Sequence, residues 1–154
     1  MYEKTISIIL TICMMLSLIM VVEAKTIRKQ TSNQIIVLED GYYIEIELND
    51  RSGLARANVS GSKTYTYYND ADEALWKATV TGSFTYDGRY ASCTSSSCNV
   101  TVYDSTWYTI SKTAWTDENF AKASVEMGRK VLGVTVNRTT YNLSLLCDRY
   151  GNLS

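Results

Sequence analysis

The run Trp76-Lys77-Ala78-Thr79-Val80-Thr81-Gly82-Ser83-Phe84-Thr85-Tyr86 decides the fold class. Its period is two. Trp76, Ala78, Val80, Phe84 and Tyr86 share one face, with Gly82 in their row. Lys77, Thr79, Thr81, Ser83 and Thr85 share the other. A helix would gather Trp76, Val80 and Phe84, but it would also bury Lys77 or Thr81. The threonine content and the long alternation select a strand with one dry face. Gly82, lying in the dry row, marks a bulge or the close approach of another segment.

Working outward, the same period recurs. Tyr86-Asp87-Gly88-Arg89 predicts a two-residue hairpin, since Asp-Gly tolerates the positive φ of such a turn. A short strand through Ala91 follows, then a polar loop, Thr94 to Ser97. Cys98, Val100 and Val102 begin the next strand. Thr106 to Trp115 continues as strand, with Trp107/Thr109 and Tyr108/Ile110 competing for the inward face. Upstream, Tyr42, Ile44, Ile46 and Leu48 alternate with Tyr43, Glu45, Glu47 and Asn49. Gln34 to Leu38 pairs with that strand through Glu39-Asp40-Gly41, and Asp50 to Gly53 is a loop. Ser62 to Tyr68 is a strand that ends in the turn Asn69 to Asp72.

Thr116 to Leu132 is ambiguous. Thr116 could cap a helix, but Ala121, Ala123, Val125 and Met127 alternate cleanly with Lys122, Ser124, Glu126 and Gly128, which favours strand. Gly133 turns the chain. The last strand, Val134 to Cys147, changes parity between Val136 and Tyr141, so it should carry a bulge near Asn137. The sum is an all-β chain of roughly eight or nine antiparallel strands with little helix. A two-sheet sandwich, immunoglobulin-like or similar, buries such one-sided strands; a closed barrel is the alternative. The expected core is Ile44, Ile46, Trp76, Val80, Phe84, Val100, Val102, Val125, Leu143 and Leu145.

The start of the chain sets the expected compartment. Lys4 precedes an uncharged apolar run from Thr5 to Val22, and Val22-Glu23-Ala24 offers a cleavage site. This is the layout of a secretory signal peptide over residues 1–24. An uncleaved anchor is the rival, and a membrane would then be met only through this segment. Cys13 lies mid-run, with Ile12 where a lipoprotein needs a small residue, so it reads as filler. Residues 25–33 read as a flexible lead and 34–154 as one domain. The expected location is secreted, extracellular or at the cell surface.

Composition removes several function classes. Lys4, Glu3 and Glu23 fall in the leader, so the 15 basic and 16 acidic residues balance in what remains. No basic surplus points to nucleic acid. The chain has no His, which excludes Ser-His-Asp and Cys-His catalysis and His-ligated metal sites. No cofactor is expected. With no Pro, turns must come from Gly, Asn, Asp and Ser. Three cysteines follow the leader. Cys93 and Cys98 bracket the serine loop and could bridge across a hairpin mouth; a bridge from Cys147 to one of them is the alternative.

Candidate sites each compete with a plainer reading. Glu45 and Glu47 share a strand face, but a glycosidase needs two carboxylates flanking a sugar in a cleft, roughly 5–9.5 Å apart. Asn69, Asp70, Asp72 and Glu73 could hold Ca²⁺, which takes about 6–8 oxygens, yet they also make an ordinary polar turn. Trp107, Tyr108 and Trp115 could form an aromatic strip that stacks on sugar rings, though aromatics on strands more often face a core. Sequons at Asn58, Asn99, Asn137 and Asn142 matter only in a host that glycosylates secreted proteins.

Two segments, Gly61 to Ser97 and Val131 to Ser154, resemble a group of small secreted β-rich proteins of Gram-positive bacteria. The shared features are the Trp-bearing strand, Gly82-Ser83-Phe84-Thr85-Tyr86-Asp87-Gly88, the serine run after Cys93, and the ending Cys147-Asp148-Arg149-Tyr150-Gly151-Asn152-Leu153-Ser154. The resemblance implies export and an all-β fold. The group has no assigned activity, so no catalytic residue carries over. The expected function is a non-catalytic extracellular binding or interaction domain for a protein or glycan. The alternatives are a carboxylate-dependent polysaccharide hydrolase and a carbohydrate-binding module using Trp107 and Trp115.

Overall fold

The computed structural model describes residues 31–38, 41–51 and 58–154. The signal-peptide reading of residues 1–24, the lead up to residue 30, the Glu39-Asp40 turn and most of the loop after Asp50 lie outside them. Eight strands follow one another: β1 Thr31–Val37, β2 Tyr43–Arg51, β3 Asn58–Tyr68, β4 Ala74–Tyr86, β5 Ala91–Val102, β6 Trp107–Asp117, β7 Phe120–Val131 and β8 Val134–Leu146. They form two antiparallel sheets, β1-β2-β3-β4-β5 and β6-β7-β8. The two-sheet sandwich is therefore present, and its connectivity is a plain meander rather than the Greek key of an immunoglobulin domain. Strand β1 begins at Thr31, inside the segment expected to be a loose lead.

Alternation explains the core. On β4, Trp76, Ala78, Val80 and Phe84 are buried, and on β7 Ala121, Ala123, Val125 and Met127 are fully buried. The facing rows of β2 and β8 add Ile44, Ile46, Leu48, Leu143 and Leu145. Gly82 is a close approach. A methyl group built on it would lie 2.7 Å from the Ala121 Cβ and 2.6 Å from the Phe84 ring. Glycine thus lets β4 and β7 come together across the layers. Of the expected core, two residues of β5 depart: Val102, at its end, is 37% exposed, and Val100 is only partly buried against the cluster.

The bulges relocate a few faces. Against β4, Thr94 is the extra residue of β5, since Ser83 pairs with Ser95 and Phe84 with Cys93. Ile110 is skipped in β6, which leaves Trp107 and Thr109 inward. Val136 is skipped in β8, one residue from the expected bulge. The β6–β7 turn falls at Glu118-Asn119, within the stretch read as a single strand, with Glu118 at φ 51°. The Asp87-Gly88 turn is longer than two residues: Asp87 Oδ1 accepts the N–H groups of Arg89 and Tyr90.

The serine loop is the main correction. Thr94 to Ser97 is continuous strand, its backbone paired along β4, with Thr94 Oγ1 donating to the Ser83 carbonyl and Ser96 Oγ to that of Lys122. Cys93 and Cys98 therefore sit on one strand, about 15 Å apart at roughly 3.3 Å per residue. A bridge requires Cα atoms within about 7 Å, so the Cys93–Cys98 disulfide cannot form in this fold. Cys93, Cys98 and Cys147 carry free thiols here.

The chain end completes the core. Beyond β8, Cys147 pairs with Leu153, and Leu146 and Ser154 exchange backbone hydrogen bonds. Asp148 holds this turn by accepting from the N–H groups of Tyr150 and Asn152 and from Asn152 Nδ2. Leu153, 8% exposed, is driven against Gly61, where a Cβ would collide with its Cδ1.

Candidate functional site

One end of the sandwich opens into a cleft of about 820 Å³ lined by Val37, Leu38, Tyr42, Tyr67, Trp107, Arg129 and Asn137. That volume lies in the range of small-molecule sites, about 300–1,000 Å³. Two cross-strand rows make it. In the larger sheet, Ile44, Tyr67 and Trp76 stand opposite one another. In the smaller sheet, Trp107, Arg129 and Asn137 do the same. Ile44, Trp76 and Trp107 are buried at the edge of the packed core, and Tyr67, Trp107, Arg129 and Asn137 border the cleft.

Trp107 is positioned by the turn before it. Asp104 Oδ1 accepts from the Thr106 N–H at 2.7 Å and from its Oγ1, and the Trp107 N–H donates to the Asp104 carbonyl. Those two bonds hold the Asp104 carboxyl below the ordinary carboxylate value. The Lys130 N–H donates to the Thr106 carbonyl and locks the start of β6 onto β7.

The walls are aromatic. Tyr42 stacks on Tyr67 with centroids 5.6 Å apart, and Tyr67 stacks on Trp76 at 5.3 Å and 8°. Trp107 tilts against Tyr67, and Tyr141 against Trp76 at 4.8 Å. Burial raises the Tyr67 phenol, and burial and Tyr67 together push Tyr141 up to about 12. The Tyr67 and Tyr141 phenols are therefore neutral donors at physiological pH. Arg129 is the sole charged group among the described lining residues. Its guanidinium lies 6.0 Å from the Trp107 ring centre. Arg129 Nε and Trp76 Nε1 are buried with no acceptor. An unpaired buried donor costs roughly 1–3 kcal/mol, so an acceptor entering the cleft beside Arg129 would be favoured.

The expected aromatic strip is not one surface. Trp107 is buried in the cleft wall. Tyr108 points outward, packs over Gly128 and hydrogen-bonds Thr135 Oγ1 at 2.8 Å. Trp115 is 43% exposed at the opposite end of β6, beside Lys122 in the ladder. At roughly 3.4 Å per residue, Trp107 and Trp115 stand about 25 Å apart.

The acidic turn is committed to the fold. Asn69 Oδ1 accepts from the N–H groups of Ala71 and Glu73, Asn69 Nδ2 donates to Glu73 Oε2, and Asp72 Oδ1 accepts from Tyr43 Oη. Asn69, Asp70, Asp72 and Glu73 form no metal-holding group, nor does any other set among the described residues. Glu45 and Glu47 lie on the outer face, where Glu45 accepts from Asn33 and Tyr68, so they do not flank a cleft.

Tyr42, Tyr67, Arg129 and Asn137 are cleft residues to which the sequence alone assigns no binding role. The signal was there for Arg129: it is the next inward position after Ala121, Ala123, Val125 and Met127. No family model, curated protein or solved structure matches the chain.

Proposed function

We propose that the protein is a secreted, non-catalytic binding module whose cleft takes a ring-bearing ligand with an anionic acceptor, most simply an oligosaccharide carrying carboxylates. The observation that carries this reading is the unpaired Arg129 Nε beside the Tyr42–Tyr67–Trp107 wall. Aromatic faces suit the apolar faces of sugar rings, and a guanidinium fork suits a carboxylate. The phenols and the Asn137 amide supply neutral partners for hydroxyls. A stacked ring adds roughly 0.5–1.5 kcal/mol, so affinity per site should be weak, on the order of millimolar.

The test is a titration with neutral glucose oligomers and with galacturonate oligomers, followed by tryptophan fluorescence. The acidic series should change the emission and the neutral series much less. Arg129→Gln should abolish the difference, while Trp115→Phe should leave it intact. No response to either series removes the carbohydrate reading and leaves a protein partner as the default.

A further inference from the structure

Cys93 and Cys147 converge from different sheets on the same two-residue turn. The Cys93 N–H donates to the Glu118 carbonyl at 2.7 Å, and the Cys147 N–H donates to the next carbonyl, that of Asn119, at 3.0 Å. Consecutive carbonyl oxygens are a few ångströms apart, so the two cysteine backbones lie within about 10 Å of each other, and a bridge requires their Cα atoms to close to within about 7 Å. Both side chains face inward. Cys93 ends the row Val59–Phe84–Cys93 of the larger sheet, and Cys147 follows Leu143 and Leu145 along the inner row of the smaller one. Both belong to the same buried cluster, and Gly82 and Ala121 bring the layers into contact beside them. Cys98 is separate, half-buried further along β5.

We propose that Cys93 and Cys147 form a disulfide that ties β5 to the end of β8 across the Glu118-Asn119 turn. The oxidant is a small-molecule disulfide such as oxidised glutathione. One cysteine thiolate attacks it, giving a mixed disulfide and releasing one small thiolate. The second cysteine thiolate then attacks the protein sulfur of that mixed disulfide. The Sγ–Sγ bond forms, the second small thiolate leaves, and the two protons lost by the cysteines reside on the two small thiols. Two protein thiols are oxidised and one disulfide is reduced.

The surroundings indicate when this happens. Burial, and after it Asp148, Asp50 and Cys93, push the Cys147 thiol up to about 11. A thiol held that high is almost fully protonated at neutral pH and exchanges slowly. The bridge therefore forms during folding, before packing closes over the turn, and it acts as a structural staple rather than a reversible switch. It closes a loop on the order of 50 residues, which limits the unfolded state enough to raise Tm by on the order of 10 °C.

The test is refolding of the reduced, denatured chain in a glutathione redox buffer, followed by alkylation and non-reducing peptide mapping. The expected map joins the Cys93 peptide to the Cys147 peptide and leaves Cys98, and Cys13 where residues 1–24 are retained, alkylated. Alkylation of Cys93 and Cys147, or a link through Cys98 or Cys13, overturns the proposal. The oxidised protein should melt on the order of 10 °C above the reduced one, in the wild type and in Cys98→Ala. A redox-dependent Tm that persists in Cys147→Ala also overturns it. If Cys147→Ala does not fold, the wild-type peptide map decides.

Discussion

Gly82→Ala is a sharp probe of how the two sheets meet. In an ordinary strand the change should help, because glycine gives up about 0.5–1 kcal/mol relative to alanine. Gly82 has no positive φ, so backbone strain does not enter. Space decides the sign. The new methyl would sit 2.7 Å from the Ala121 Cβ and 2.6 Å from the tip of Phe84. Phe84 can tilt, but a Cβ moves only with its backbone, and Ala121 lies on the central strand of the smaller sheet, paired with Thr116 and Leu145. Forcing a methyl into a filled core costs about 1–3 kcal/mol. The net expectation is a loss of about 1–2 kcal/mol, read as a lower urea midpoint at unchanged slope. Ala121→Gly should relieve the clash, so the double variant should be more stable than the sum of the single losses, with a coupling of about 0.5–2 kcal/mol. A Gly82→Ala protein as stable as wild type, or one with no coupling to Ala121, would refute the close approach of β4 and β7.

The other expectations follow from the same packing. Phe84→Ala should lose about 3–5 kcal/mol in the same urea assay, as a buried aromatic at 1% exposure does. Leu153→Ala should lose about 2–3 kcal/mol although it lies one residue from the end of the chain, because the side chain fills the space over Gly61. In acrylamide quenching, Trp115→Phe should remove most of the quenchable emission, since Trp76 and Trp107 are buried and Trp115 is not. Asp104 has a folded value below its unfolded one, so the stability it adds is present above the ordinary value of 3.8 and is lost as pH falls through the folded value. Asp104→Asn should flatten that acid limb of the stability profile.

Much of the fold is legible in the chain because one-sided alternation is written plainly in Tyr42 to Leu48, Trp76 to Tyr86 and Ala121 to Met127. Those faces stand as read. The misreadings share a cause. Thr94-Ser95-Ser96-Ser97 carries no apolar signal, since the gap it crosses is narrow and its hydroxyls bond to neighbouring carbonyls, so a strand looks like a loop. That single error placed Cys93 and Cys98 on facing strands. The Glu118-Asn119 turn lacks glycine and hides within an unbroken pattern. The cleft was harder still. Trp107 stands out in the sequence as an aromatic, but Tyr67 and Arg129 become cleft residues only when the ends of two rows from different sheets face each other. That juxtaposition is tertiary, and no local spacing encodes it.

The meander bears on how the chain reaches its fold. Every ladder joins strands adjacent in sequence, β1 with β2 through to β4 with β5, and β6 with β7 and β8. Each can zip from a local turn without closing a long loop first, and only the docking of the two sheets demands distant contacts. Refolding should therefore be fast for a sandwich, toward the quick end of the millisecond-to-second range of β proteins. With no proline anywhere in the sequence, it should also lack the slow phase of tens of seconds that prolyl isomerisation imposes on most chains of this length.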